Sequence, residues 1–146
     1  MINILIMNNL IDQLKAEHQE ISLLLTEIKK SGILTDEAHS KLISVKSMIL
    51  KHLQKENEEL YPVLNLRAKN NKILKNNMQV LSLEMKTIIE KIARFYQKYE
   101  DSGYGIEFNL DFGNLFNLIL QRFSNEERVL YAEYIKIMNA SKSAVK

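Results

Sequence analysis

Three ionisable residues, His52, Glu56 and Glu59, recur along the stretch from His52 to Pro62, HLQKENEELYP. On a helix, side chains four apart stand one above the other, so His52 and Glu56 share a face. Glu59, seven residues on from His52, is expected to return to it. Leu42, Val45 and Ile49 before this trio, and Val63 and Leu66 after it, keep the same 3-4 spacing, which predicts an inward-pointing face. Each such group buried without a partner costs on the order of several kcal/mol. Metal coordination or a buried ion pair would remove that cost.

Two other segments carry polar residues on apolar stripes. His18 interrupts the series Ile11, Leu14, Ile21, Leu25, Ile28, and Glu126 interrupts Phe116, Ile119, Phe123, Leu130, Ile137. Together His18, His52, Glu56 and Glu126 offer two imidazoles and two carboxylates, a set that suits iron, manganese or zinc. Glu59 is then either a supporting residue or solvent-exposed. The alternative needs no metal. Arg122 lies one turn before Glu126, and its guanidinium could sit between Glu56 and Glu126 and bond both. That arrangement would make the chain a metal-free helical interaction module with Arg122 neutralising the buried carboxylates. His39 falls on a different face and is expected at the surface.

Four long helical patterns must position these groups. The first runs from about Asn9 to Lys30 and stops at Ser31-Gly32. Thr35 is a plausible N-cap for the second, with Asp36 and Glu37 in its first turn and an end near Ala68. Pro62 lies inside it, which predicts a kink or a separately nucleated last turn. The third runs from near Asn71 to about Glu100 on the stripe Leu74, Met78, Leu81, Met85, Ile88, Ile92, Phe95, Tyr99, and breaks at residues 101–105. The fourth runs from near Asn109 to about Met138. Short connections between such helices predict an all-α, up-down-up-down four-helix bundle. With ~1.5 Å rise per residue, His18, His52, Glu56, Met85, Arg122 and Glu126 fall within a slab roughly 12 Å deep. Residues 1–146 are expected to form one domain, with 1–8 as an N-terminal extension and 139–146 as a frayed tail.

Composition excludes several classes. A 146-residue chain with 46% hydrophobic residues can bury one core. A net charge of +2 argues against nucleic acid or an acidic membrane as partner. The basic tract Arg67, Lys69, Lys72, Lys75 lacks interleaved aromatics and reads as a solvated helix junction. Without cysteine there is no disulfide, thiolate ligand or thiol nucleophile. The opening MINILIM is too short for a signal h-region or a membrane span, so a cytoplasmic protein is expected. No nucleophile elbow or phosphate loop occurs, and no enzyme activity is expected.

The residues resemble the hemerythrin-like, HHE cation-binding family along nearly the whole chain. Glu17-His18 in LKAEHQEI is similar to the first ligand helix, and HLQKENEELYP to the H-x-x-x-E motif followed by Leu-Tyr-Pro. RFSNEERVLY is similar to a second copy, with Glu126 at the acidic position and Leu130-Tyr131 following. The resemblance implies a four-helix bundle with a non-haem di-iron site that binds dioxygen, responds to oxygen, nitric oxide or redox state, stores iron or helps repair iron centres. Two positions depart from it: Glu84-Met85 stands where the third helix carries a histidine, and Arg122 where the second motif begins with one. The expectation is therefore a single iron held by His18, His52, Glu56 and Glu126, with a small diatomic ligand, or a metal-free relic. A fainter similarity, through Leu10-Ile11-Asp12 and Arg122-Phe123 with Glu126, is to helical anti-sigma regulators.

Overall fold

A computed structural model describes residues 2–31, 35–99 and 105–144. Among these the chain is helical with no strand, and it forms the all-α four-helix bundle that the periodicity predicts. The first bundle helix is α1 (Ile2–Ser31). The second consists of α2 (Asp36–Lys55), a π turn (Glu56–Leu60) and α3 (Tyr61–Ala68). The third is α4 (Lys72–Lys98). The fourth consists of α5 (Gly105–Asn125), a second π turn (Glu126–Tyr131) and α6 (Ala132–Ala144). None is long and apolar enough to cross a membrane.

Local chemistry sets the helix ends. The Thr35 hydroxyl accepts the Ala38 N–H at 3.1 Å, as expected of an N-cap. Asn71 does the same for α4, its side-chain oxygen taking the Leu74 N–H at 3.1 Å. The basic tract spans this α3–α4 junction, where the Asn70 N–H reaches the Arg67 carbonyl. The helical backbone begins before Asn9, at Ile2, and continues past Met138 to Ala144, because neither segment contains a proline or glycine. Gly32 and residues 101–104 of the expected breaks lie outside the described residues.

The two π turns change which residues face inward. In an α-helix the stripe would pass from Glu56 to Glu59, Val63 and Leu66. Instead the Tyr61 N–H bonds the Glu56 carbonyl five residues back, and Pro62 has no N–H to restore the α pattern. The extra residue in the turn rotates the remainder of the helix, so Leu60, Leu64 and Ala68 are buried. Leu66 is 65% exposed and Glu59 also faces solvent, which corrects the expectation that Glu59 shares the inner face. The fourth helix slips likewise. After Leu130 its buried residues are Tyr131, Tyr134 and Met138, while Ile137 is only half-buried.

Two apolar layers fill the bundle. One joins Ile21, Leu25, Ile28, Val45, Ile49 and the aromatics Phe95, Phe108, Phe112 and Phe116. The other joins Leu14, Leu60, Leu64, Leu81, Leu130 and Tyr131. His18 on the first bundle helix, His52 and Glu56 on the second and Glu126 on the fourth fall between these layers in sequence. Along α4 the predicted stripe is less deeply covered at Met78, Met85 and Ile92. A groove of about 1110 Å³ runs there between α4 and the second bundle helix.

Candidate metal centre

Five polar residues are buried in this middle layer: His18, His52, Glu56, Arg122 and Glu126. Glu56 is wholly inaccessible and the others are at most 2% exposed. The structure brings together all four residues expected to form the site. One ligand atom from each of His18, His52, Glu56 and Glu126 lies within 4.8 Å of the other three. The Nε2 atoms of the two histidines face each other at 3.1 Å. Glu126 Oε1 is 2.9 Å from His18 Nε2 and 3.6 Å from that of His52, and Glu56 Oε2 is 3.4 Å from the latter.

The outer faces of the rings fix which nitrogens turn inward. His18 Nδ1 donates to Glu127 Oε2 at 2.9 Å, and His52 Nδ1 donates to Glu17 Oε1 at 2.8 Å. An ionised carboxylate can only accept, so each Nδ1 carries a hydrogen, and Nε2 is the nitrogen whose lone pair a metal would take, in place of any proton there. The second oxygen of Glu17 accepts from Lys55 Nζ at 2.5 Å. Burial of the Glu17 carboxyl opposes ionisation, but its bonds from Lys55 and His52 more than offset this and hold it below the usual carboxylate range. Stacking completes the support: the His18 ring lies 3.9 Å from that of Phe123 at 12° and 5.5 Å from that of Tyr131 at 17°.

Glu17, Glu127, Lys55 and Tyr131 were not assigned roles by periodicity. Glu17 and Glu127 each stand one position beside a site residue, and adjacency was the signal, joined for Glu17 by the resemblance of the Glu17-His18 pair. Tyr131 lies five residues past Glu126, and five residues is well round the cylinder at ~3.6 residues per turn. The π turn brings it inward.

Arg122 bonds one carboxylate of the pair. Its Nε donates to Glu126 Oε2 at 3.2 Å, while its terminal nitrogens donate to the Leu81 carbonyl at 2.7 Å and the Tyr61 hydroxyl at 3.3 Å. Glu84 lies 3.8 Å from the guanidinium, and Met85 lines a small cavity beside it. On the other carboxylate, Glu56 Oε2 accepts from Tyr131 at 2.8 Å, and Oε1 is buried without a hydrogen-bond partner among the described residues. His39 is half-buried on α2, away from the cluster, rather than fully at the surface.

The electrostatics favour a cation between the rings. Burial works to lower the pKa of His52, yet bonds to Glu126 and Glu56, with their charges, raise it from its ordinary value to about 10. Burial raises Glu56, and the neighbouring Glu126 charge adds to this. For Glu126 burial acts in the same sense, but His18, His52 and the Arg122 charge hold it well below the usual carboxylate range. Two buried carboxylates face one fixed guanidinium, and the proton that His52 holds supplies the second positive charge; a metal ion could take that proton's place, so the residues present fit one. Converging imidazole and carboxylate lone pairs form the donor set, and the orphaned Glu56 oxygen lacks the partner a buried acceptor requires.

Neither the curated proteins nor the solved structures contain a match to this chain. The family model described as the hemerythrin HHE cation binding domain matches residues 9–134, a span that contains every residue of the buried cluster. With the bundle and its His/Glu cluster, that match shows that the chain belongs to the hemerythrin HHE cation-binding domain family.

Proposed function

We propose that the protein is a non-enzymatic, single-iron member of this family that senses or buffers oxygen, nitric oxide or iron in the cytoplasm. His18 and His52 would be terminal ligands, and Glu56 and Glu126 the carboxylate ligands. The observation that carries this reading is the convergence of four buried donor atoms within 4.8 Å, with both Nδ1 atoms already committed to carboxylates. A single metal is favoured because the Arg122 charge, bonded to Glu126, would repel a second cation beside it. The metal-free alternative requires Arg122 to serve both carboxylates, and Oε1 of Glu56 is left without a partner.

When bound, the iron would supply a redox-active centre able to take a small diatomic ligand. The chain's own residues shape the space for one. A cavity of about 20 Å³ borders His52 and Glu126, walled by Ile49, Ile88, Ile92, Ile119 and Phe123. It has room for about one water-sized molecule, and its apolar wall favours a gas over water. Elemental analysis of protein purified from iron-supplemented cells tests the reading. Near-stoichiometric iron is expected, and protein free of iron, manganese and zinc would refute it.

The support from Glu17 gives a finer test. Glu17→Gln keeps the shape and an acceptor for His52 Nδ1–H but removes the charge that makes the ring a better ligand. Metal binding should weaken roughly 10–100-fold, read by competition with a chelator of known affinity. An affinity unchanged within error would show that Glu17 serves only Lys55.

A further inference from the structure

Tyr131 is fully buried, and its hydroxyl points into the cluster rather than towards a backbone carbonyl. The oxygen donates to Glu56 Oε2 at 2.8 Å and lies 3.2 Å from His18 Nε2 and 3.4 Å from His52 Nε2. It is therefore as close to these three donor atoms as they are to one another. By contrast, the half-buried Tyr96 sends its hydroxyl to the Leu42 carbonyl, the usual way to satisfy a core phenol. Stacking on His18 supports the Tyr131 ring in this direction.

The two halves of the site reinforce this. Tyr61 follows Glu56 by five residues, directly after the first π turn, and Tyr131 follows Glu126 by five, as the last residue of the second. The Tyr61 oxygen accepts from the fixed cation Arg122. The Tyr131 oxygen occupies the corresponding place opposite His52, where the donor atoms converge and, among the described residues, no fixed cation stands.

We infer that Tyr131 is a fifth ligand, binding ferric iron through its phenolate oxygen. The inference rests on the iron reading of the four-residue site. An iron–oxygen bond replaces the phenol O–H bond, the proton leaves to solvent, and the iron keeps its oxidation state. The hard, anionic oxygen favours the ferric over the ferrous ion, as tyrosine does when it ligates haem iron.

The test uses the full chain, loaded with ferrous iron without oxygen, oxidised with ferricyanide and desalted. Elemental analysis gives the iron content, electron paramagnetic resonance confirms the ferric state, and the visible spectrum reports the ligand. A tyrosinate-to-iron charge-transfer band is expected, with phenolate modes enhanced in the resonance Raman spectrum. Tyr131→Phe should keep its iron and lose the band, whereas Tyr61→Phe should keep both. Should Tyr131→Phe fail to fold, a band that survives in Tyr61→Phe excludes Tyr61 and leaves Tyr131 as the tyrosine whose hydroxyl lies at the donor atoms. Ferric iron bound to the wild type without the band overturns the fifth ligand and leaves the four-residue site standing. A band that survives in Tyr131→Phe also overturns it. A wild type that takes up no iron removes the site and the fifth ligand together.

Discussion

Replacing Arg122 with methionine should destabilise the metal-free protein by about 3–5 kcal/mol, because it breaks a buried ion pair from one side. Methionine preserves much of the volume and removes the charge. Glu126, 1% exposed, would lose the fixed cation bonded to it, and the Leu81 carbonyl would lose a donor at 2.7 Å. The expected loss is a large part of the ~5–15 kcal/mol that folds a domain. Urea unfolding measures it as a lower midpoint with an unchanged slope. Neutralising the partner as well, in Arg122→Met/Glu126→Gln, should recover much of the loss, since the uncompensated charge rather than lost packing is the cause. A single substitution that costs less than ~1 kcal/mol would place the Arg122–Glu126 bond on the scale of an exposed pair, and the electrostatic account of this layer would fail.

Substituting His52 with alanine should abolish stabilisation by metal. For the wild type, metal held at a hundredfold excess over Kd adds about 2.7 kcal/mol. In a chain of this size that corresponds to a rise of roughly 5–10 °C in melting temperature. His52 is central to the site: its Nε2 lies within 3.6 Å of His18, Glu56 and Glu126 atoms, and Glu17 holds the ring's far side. Alanine removes a ligand and leaves a gap that water cannot fill with equal basicity. Thermal melts of both proteins with and without iron or zinc check this. A shift that persists in the variant would move the metal to the exposed carboxylates. The variant should also be less stable without metal, since it loses the Glu17 and Phe123 contacts of the ring.

Much of this was legible from local pattern. The i, i+4 pair His52–Glu56 and the 3-4 stripes carrying His18 and Glu126 depend only on helix periodicity, and all four residues do converge. Thr35 and Asn71 cap helices through side chains three residues away, which is also local information. Pro62 marked the disturbance in the second bundle helix, because a missing N–H is written in the sequence.

Other features depend on interactions that periodicity does not contain. In the fourth bundle helix no proline signals the π turn, yet it carries Tyr131 inward and turns Ile137 partly away. Which of two carboxylates Arg122 bonds depends on where Leu81 and Tyr61 sit, 41 and 61 residues away. The orientation of each imidazole is likewise set across helices, by Glu127 for His18 and by Glu17 for His52. The sequence by itself determined the bundle and the four residues His18, His52, Glu56 and Glu126. A regular helix repeat assigns faces residue by residue along one segment. Only the tertiary structure decided that Glu59 leaves the site and Tyr131 enters it, because one extra residue in a turn rotates everything beyond it.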